Sequence, residues 1–273
     1  MKAITILFPT DFSIRANNGL TQVAHISSRI GAKLIIYHAY PRPYSESGSK
    51  EHVDKMLLQM EREIERKFKA YPNQIAALKE IECEFVKELG LFTEGLINRS
   101  RRKEVDMVAM PTKGAKGLGM IWGTKTGTVV KSIDKPILVI PDNTDLINIS
   151  KVGLVCDYSN QTDYHPLDFM HDLIAALDLH VDTVTLNKSE REMTPEEKGY
   201  QQVVSKKLKE VSKSFSFTSH SYVDNGIIDY ARENEIGLIT ILPKEYSFLE
   251  SIFHESFTEQ MTFQSPLPLL ILK

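Results

Sequence analysis

The chain has little cysteine, little tryptophan and no long apolar run, and each of these scarcities excludes a class of protein. Its 273 residues include two cysteines and one tryptophan. Cys83 and Cys156 fall in strand-like runs of different halves, which argues against a disulfide framework and predicts a reducing, cytoplasmic setting. No apolar run approaches the ~20 residues that a membrane-spanning helix needs. The opening MKAITILFPTDFS also lacks the cleavage site of a signal peptide.

Charge and motif patterns exclude further functions. The formal net charge of -3 gives bulk nucleic-acid binding no electrostatic support. The histidines form neither an H-E-x-x-H motif nor a close Cys/His cluster, so we expect no metal site. There is no G-x-S-x-G elbow and no P-loop motif, so neither a nucleophile nor a P-loop mechanism is predicted. Four basic residues lie at the end of the predicted third helix: Arg99, Arg101, Arg102 and Lys103. Because cations are favoured at helix C-termini, we expect these side chains to form a solvated cap and not an anion-binding site.

The sequence repeats itself, and the repeat determines the predicted domain count. Residues 95–110 (GLINRSRRKEVDMVAM) align without a gap with residues 226–241 (GIIDYARENEIGLITI). Each copy then reaches a final apolar run, PILVI at 136–140 and PLLIL at 268–272. The second copy is shorter by about fifteen residues before its third helix, judged by the pairing of Asp11 with Asp157. With 42% hydrophobic residues, the chain can build two domains, predicted as 1–143 and 150–273.

Alternating strand and helix patterns predict an α/β fold with two tandem, doubly wound parallel-sheet domains. The first strand, 4–8, is almost wholly apolar, as expected of a strand buried on both faces. A helix over 14–30 should follow it, capped by Ser13 or Asp11 and closed by Gly31. The final strands, 137–140 and 269–272, are short apolar edges. We expect them to pair across a pseudo-twofold axis and to pack the domains as a pseudo-dimer.

Three segments of the first copy reach the carboxyl edge of the predicted sheet, where such folds bind ligands. They are Pro9-Thr10-Asp11, His38-Ala39-Tyr40 and the loop PTKGAKGLGMIWGTKT at 111–126. Glycines let a backbone approach phosphate closely, and a helix N-terminus adds a favourable dipole. Gly123 and Thr124 directly precede a predicted helix and supply both features. From the residues alone, a glycine-rich turn without a ligand is an equal alternative.

Together these segments resemble the universal stress proteins, in the tandem type with two such domains in one chain. The resemblance rests on ILFPTDFS, LIIYHAYP, EVDMVAMPTKGAKGLGMIWGT and KPILVIP, and it covers nearly the whole chain. It implies an adenine-nucleotide α-hydrolase-like, Rossmann-like fold, in which many members bind ATP through a G-x2-G-x9-G-[S/T] motif. Gly114, Gly117, Gly127 and Thr128 match that motif literally. Counting back from the proline of the final strand selects Gly123-Thr124 instead, with one residue missing from the loop.

The resemblance also implies the roles of the site residues. Asp11 would bind at or near the ribose hydroxyls, Thr10 and Ala39 would meet the adenine through backbone groups, and Lys113 would offset phosphate charge. The full predicted set shares the carboxyl edge: Pro9, Thr10, Asp11, Ala39, Thr112, Lys113, Gly114, Gly123, Thr124, Lys125 and Thr126. Pro111 replaces the family's first glycine and has no N–H to donate. In the second copy Glu245 and Glu255 replace the glycines, which predicts no second nucleotide site.

The resulting functional prediction is a non-enzymatic stress-response protein that binds ATP or another adenine nucleotide in its first domain as a sensor or regulator. One alternative is a nucleotide-free scaffold that acts by protein–protein contact. Another is a slow ATP-hydrolysing or adenylate-forming enzyme, which would need an acid, base or metal ligand beyond Asp11. The expected partner is an adenine nucleotide, with neither nucleic acid nor membrane. A protein partner and a homodimer beyond the pseudo-dimer remain open.

Overall fold

The computed structural model describes residues 3–44, 49–112, 129–130, 132–142, 144–156, 158, 164–186, 192–218, 223–242 and 267–273. The strands of the first half are β1 (Thr5–Pro9), β2 (Lys33–Tyr40), β3 (Cys83–Leu89), β4 (Met107–Thr112) and β5 (Ile137–Pro141). Those of the second half are β6 (Lys151–Val155), β7 (His180–Leu186), β8 (Lys213–Thr218), β9 (Leu238–Ile241) and β10 (Leu269–Ile271). The helices are α1 (Ile14–Ile30), α2 (Lys50–Gln74), α3 (Phe92–Ser100), α4 (Pro166–Leu177), α5 (Pro195–Lys207) and α6 (Val223–Glu233).

The ten strands form one sheet in the order β3-β2-β1-β4-β5-β10-β9-β6-β7-β8. The order of the strands from the outer edge to the middle is the same in both halves. It is β3-β2-β1-β4-β5 in the first half and β8-β7-β6-β9-β10 in the second. Every recorded pair is parallel except β5 with β10, which run antiparallel with Leu270 opposite Leu138. Because β5 and β10 pair with each other, neither half leaves its final strand as an exposed edge. The predicted α/β fold, with tandem halves packed as a pseudo-dimer through their final strands, is therefore confirmed.

Helices cover both faces of the sheet, and both cores run through the two halves. One cluster packs α1, α2, α4 and α5 on one face, and its members include Leu20, Phe68 and Leu167. The other packs α3 and α6 on the opposite face through Leu96 and Ile227. Because each cluster draws residues from both halves, the free energy of burial is shared across the pseudo-dimer axis. The domain limits 1–143 and 150–273 stay a prediction.

The segment between the halves is tied to the first helix. The backbone N–H of Leu146 donates to Gln22 Oε1 at 2.8 Å. Arg29 donates from Nη2 to the carbonyl oxygen of Leu177 at 2.6 Å, and so reaches the last turn of α4 in the other half. Lysine or arginine at a helix C-terminus satisfies carbonyls that the helix leaves unpaired. Side-chain hydrogen bonds thus add to the apolar packing between the halves.

Local capping follows the sequence closely in the first helix. Ser13 caps α1 by accepting from the N–H of Ala16, and Gly31 ends the helix in the left-handed region at φ 63°. The predicted shortening of the second copy falls in its second helix, since α5 has 13 residues where α2 has 25. No helix among the described residues is long and apolar enough to span a membrane.

One side chain contradicts the prediction for the basic run after the third helix. Arg99 is buried, with 8% of its surface exposed, and its Nη2 lies 2.9 Å from Oε1 of Glu84 on β3. Arg101, Arg102 and Lys103 are exposed, as a solvated cap requires. The prediction was wrong for Arg99 because an ion pair with a neighbouring strand leaves no trace in the local sequence. Cys83 and Cys156 do not form a disulfide with each other.

Candidate functional site

The candidate site lies where the order of the strands reverses in the first half. From β1 the chain moves outward to β2 and β3, and it then returns to β4 on the other side of β1. The carboxyl ends of β1 and β4 therefore form the switch point at which open α/β sheets bind ligands. Of the predicted set, the structure describes Pro9, Thr10, Asp11, Ala39 and Thr112. The rest lie outside the described residues: Lys113, Gly114, Gly123, Thr124, Lys125 and Thr126.

Each of the three polar groups of Thr10, the N–H, the carbonyl and the hydroxyl, takes part in a hydrogen bond. Its N–H donates to the carbonyl of Tyr37 at 2.8 Å, and its own carbonyl lies 2.7 Å from Nδ1 of His38. Its Oγ1 accepts from the N–H of Phe12 at 3.0 Å and lies 2.6 Å from the hydroxyl of Tyr71. Since Tyr71 donates its single proton to Asn17 Oδ1, the Thr10 hydroxyl is the donor to Tyr71. The first residue after β1 is thus rigidly held.

His38 is a neutral donor in this arrangement. A carbonyl oxygen only accepts, so the contact with Thr10 requires the proton on Nδ1 of His38. Burial lowers the pKa of His38, and the nearby cation of Lys67 lowers it further. The Thr10 carbonyl and the carboxylate of Asp11 oppose this shift only in part. At neutral pH the imidazole therefore links the ends of β1 and β2 without carrying charge.

Asp11 offers an ionised carboxylate at the start of α1. Its Oδ1 accepts from the N–H of Ser13 at 2.9 Å, and the side chain is exposed. Burial of part of the group would raise the pKa of Asp11, but hydrogen bonds from Ser13 and the charge of Arg15 outweigh it and lower the pKa. Ser13 and not Asp11 is the N-cap of α1. The Asp11 carboxylate is therefore not consumed in capping the helix and can accept hydrogen bonds from a ligand.

Phe12 adopts a strained conformation that aromatic packing holds in place. Its φ of 63° lies in the left-handed region, which non-glycine residues seldom occupy. The ring centroid lies 4.6 Å from that of His38, 5.3 Å from Phe68 and 5.6 Å from Tyr71, which it stacks against. Such strain persists only where surrounding contacts over-determine it. The cluster fixes the direction in which the chain leaves β1, and hence the position of Asp11.

These aromatic contacts were missing from the sequence-based prediction. Phe68 and Tyr71 lie on the buried face of α2. Nothing in its spacing indicates that Phe68 and Tyr71 would meet residues far away in the chain, at positions 10 and 12. The one available signal is the large ring that directly follows the candidate carboxylate.

Thr112 places a buried hydroxyl at the end of β4. The residue is 7% exposed, and its Oγ1 has no hydrogen-bond partner among the described residues. Just before it, Pro111 pairs in register with Ile140 of β5, and α1 packs closely, since a Cβ on Gly19 would lie 3.0 Å from Cβ of Pro111. A buried hydroxyl without a partner destabilises the protein by about 1–3 kcal/mol. Such a group calls for a hydrogen-bond partner that the described residues do not supply.

The second half repeats the backbone of the site with different side chains. The N–H of Cys156 donates to the carbonyl of Val184 at 3.0 Å, the same bond that Thr10 makes with Tyr37. Tyr158, which corresponds to Phe12, is buried. Asp157, Glu245 and Glu255 lie outside the described residues. Within the described parts of the chain, no group of three or more His, Cys, Asp or Glu side chains could hold a metal ion.

The fold and the switch-point residues define a doubly wound α/β protein of tandem construction. Residues 4–141, half of the chain, match the model of the universal stress protein family. The chain therefore belongs to the universal stress protein family, and its second, similar half fits the tandem type.

Two solved structures that superpose over the whole chain support this assignment at the level of the fold. A universal stress protein from Archaeoglobus fulgidus DSM 4304 superposes with a TM-score of 0.70 at 14% identity, over 100% of this chain and 99% of that one. A functionally unknown protein from Pseudomonas aeruginosa PAO1 gives a TM-score of 0.58 at 10% identity, over 100% and 93%. A universal stress protein solved in complex with cAMP covers 51% of this chain and 98% of its own, with a TM-score of 0.39 at 18% identity. No curated protein matches the chain.

Proposed function

We propose that this universal stress protein binds ATP or another adenine nucleotide at the carboxyl edge of its first half, residues 1–143, and acts as a sensor or regulator without catalysis. The observation that carries the proposal is the placement of Asp11 after β1 and of Thr112 at the end of β4, because these two strands pair at the switch point. Asp11 brings an ionised carboxylate, and Thr112 brings a buried hydroxyl that lacks a partner among the described residues. These are the groups that bind sugar hydroxyls and phosphate oxygens.

The geometry narrows the role of each residue. Asp11 is the acceptor for ribose hydroxyls, since carboxylates accept and cannot donate when ionised. The N–H of Thr10 is already given to Tyr37, so Thr10 can contribute only the second lone pair of its carbonyl. The second half, 150–273, acts as a structural partner and binds no nucleotide. Among the described residues no group of three or more His, Cys, Asp or Glu side chains could hold a metal ion, and the proposal assigns no catalytic acid or base.

A matched pair of threonine variants tests the proposal. Thr112→Val removes the orphan hydroxyl at the candidate site, and Thr240→Val removes a hydroxyl that is also buried without a partner among the described residues, on β9. Both changes should leave the free energy of unfolding equal or raise it by about 1 kcal/mol. Only Thr112→Val should weaken the binding of ATP, measured by calorimetry with ADP, AMP and cAMP alongside. Equal nucleotide affinity in the two variants would contradict the proposed site.

A second set of variants counts the sites and tests the absence of catalysis. Gly123→Glu gives the first copy the residue that the second copy has at the equivalent position, Glu255. It should abolish nucleotide binding, because the carboxylate would repel the phosphates. Calorimetry should give one nucleotide per chain. Asp11→Asn should weaken binding more than it changes turnover per bound nucleotide. Fast single-turnover hydrolysis of ATP that Asp11→Asn abolishes without a change in nucleotide affinity would show that the protein is an enzyme. If the protein bound no nucleotide at all, the nucleotide-free scaffold would be the remaining alternative.

A further inference from the structure

The second helix of the first half places a cation beside the loop that follows β1. Lys67 lies in the last third of α2, and its side chain reaches Phe12 of that loop. The Nζ of Lys67 lies 5.1 Å from the centroid of the Phe12 ring. That ring in turn packs 4.6 Å from His38 on β2. A cation thus stands above the carboxyl ends of β1 and β2, in the half that contains Asp11 and Thr112.

The ammonium group of Lys67 is only weakly engaged within the protein. The nearby carboxylate of Glu63 pairs instead with Arg66, through Nη2 at 2.7 Å and Nε at 3.0 Å. Lys67 Nζ lies 3.9 Å from that carboxylate, too far for a hydrogen bond. Its side chain is 44% exposed, and its contact with Phe12 is a cation–π interaction that uses no N–H. The three N–H donors of the ammonium group therefore have capacity for a ligand.

The strand order indicates which end of a nucleotide Lys67 would meet. In the sequence, the glycine-rich segment suited to phosphate follows β4, and β4 and β2 lie on opposite sides of β1. Two strand spacings separate β4 from β2, which is about 10 Å. A nucleotide whose phosphates lie beyond β4 would reach β2 with its other end, the base. The groups that face this position are Asp11, His38, Tyr71 and Glu63, in addition to Lys67 itself.

We infer that Lys67 binds the base end of the nucleotide, by donating from its ammonium group to a ring nitrogen of a purine. The inference rests on the proposed function, and it adds α2 as a third element of the site beside the ends of β1 and β4. The residue that lies as far from the end of α5 as Lys67 does from the end of α2 is Tyr200, which carries no positive charge.

The test compares Lys67→Met with Lys69→Met, because methionine keeps most of the side-chain stem and removes the charge. Lys69 lies two residues further along the same helix, and so on another face of it. Lys67→Met should weaken the binding of ATP, ADP, AMP and adenosine by the same factor, about tenfold. Lys69→Met should leave all four unchanged, and Lys67→Arg should retain most of the affinity. Thermal unfolding of each variant establishes that the fold is intact.

The pattern across ligands decides the inference. A loss that grows with the number of phosphates would overturn it, because Lys67 would then be acting on the phosphate end. Equal affinities for Lys67→Met and Lys69→Met would overturn it as well, while leaving nucleotide binding established. If the unaltered protein binds none of the four ligands, the proposed function fails and this inference fails with it. The comparison of ATP with AMP suffices where adenosine binds too weakly to measure.

Discussion

Gly95 of α3 is the described glycine at which an added Cβ would come closest to another atom, the hydroxyl of Tyr37 on β2. This close approach allows a quantitative prediction for Gly95→Ala. A Cβ at position 95 would lie 2.1 Å from the hydroxyl oxygen of Tyr37 and 3.3 Å from its Cζ. Tyr37 is fully buried on β2, between β3 and β1 of the sheet. Glu88 is near, and burial together with its charge raises the pKa of Tyr37. The hydroxyl nevertheless has no aligned hydrogen-bond partner among the described residues.

Two opposing effects set the magnitude. Alanine in place of glycine inside a helix normally stabilises it by roughly 0.5–1 kcal/mol. Forcing a methyl group into a filled core costs roughly 1–3 kcal/mol. Because the clash at 2.1 Å involves a ring that is fully buried, we expect overpacking to prevail and Gly95→Ala to lower the free energy of unfolding by about 1–2 kcal/mol.

Tyr37→Phe should reverse the sign, because it removes the oxygen that the new methyl group would meet. The nearest remaining atom would be Cζ at 3.3 Å, which is tight but tolerable. In that background Gly95→Ala should be neutral or stabilising, so that the double-mutant cycle gives a coupling of about 2 kcal/mol. Urea unfolding of the four proteins measures it, with Gly199→Ala as the control, since nothing lies within 4 Å of that added Cβ. An equal cost of Gly95→Ala in both backgrounds would refute the reasoning.

Three further predictions concern buried polar groups and the junction of the halves. Asp182 accepts hydrogen bonds from Tyr230 at 2.5 Å, Ser214 at 2.7 Å and Ser216 at 2.8 Å. Because Tyr230→Phe removes one of these bonds, it should lower the free energy of unfolding, measured by urea denaturation, by about 1–3 kcal/mol. Burial and the bond to Asp182 raise the pKa of Tyr230 to about 12 from 10.0, so its contribution to stability should be complete below pH 10 and lost as pH rises through about 12. Alkaline unfolding followed by circular dichroism should be less steep in Tyr230→Phe, and an unchanged profile would contradict this. Arg29→Met should lower stability by about 1 kcal/mol through loss of its bond to Leu177, whereas the exposed Arg62→Met should have no effect in thermal unfolding.

Most of the fold could be predicted because its strands are short apolar runs and its halves are copies. The limits of α1 follow from Ser13 and Gly31, and all five residues of β1 are buried. The pairing of β5 with β10 followed from two unprotected edges that the duplication brings together. These features are local or periodic, and sequence patterns report such features well.

The details of the site could be predicted only in part, because its supporting contacts join distant residues. Asp11 and Thr112 follow from the rule that ligands bind at strand ends. The support for Thr10 from Tyr71 spans 61 residues, and the burial of Arg99 depends on Glu84 of a neighbouring strand. No spacing encodes either contact. Sequence thus predicts where the candidate site lies, and tertiary packing determines how rigidly its described residues are held.

The comparison of the two halves separates what the fold requires from what the site requires. The backbone bond that follows β1 recurs after β6, although Thr10 is replaced by Cys156. Both hydrophobic clusters cross from one half to the other, and β10 covers the edge of β5. Folding therefore constrains the backbone and the apolar residues of both halves, since an uncovered β5 would expose a hydrophobic edge. It places no such constraint on the side chains at the carboxyl edge, where the first half has Thr10 and Phe12 and the second has Cys156 and Tyr158. A ligand that binds only the first half would explain this difference.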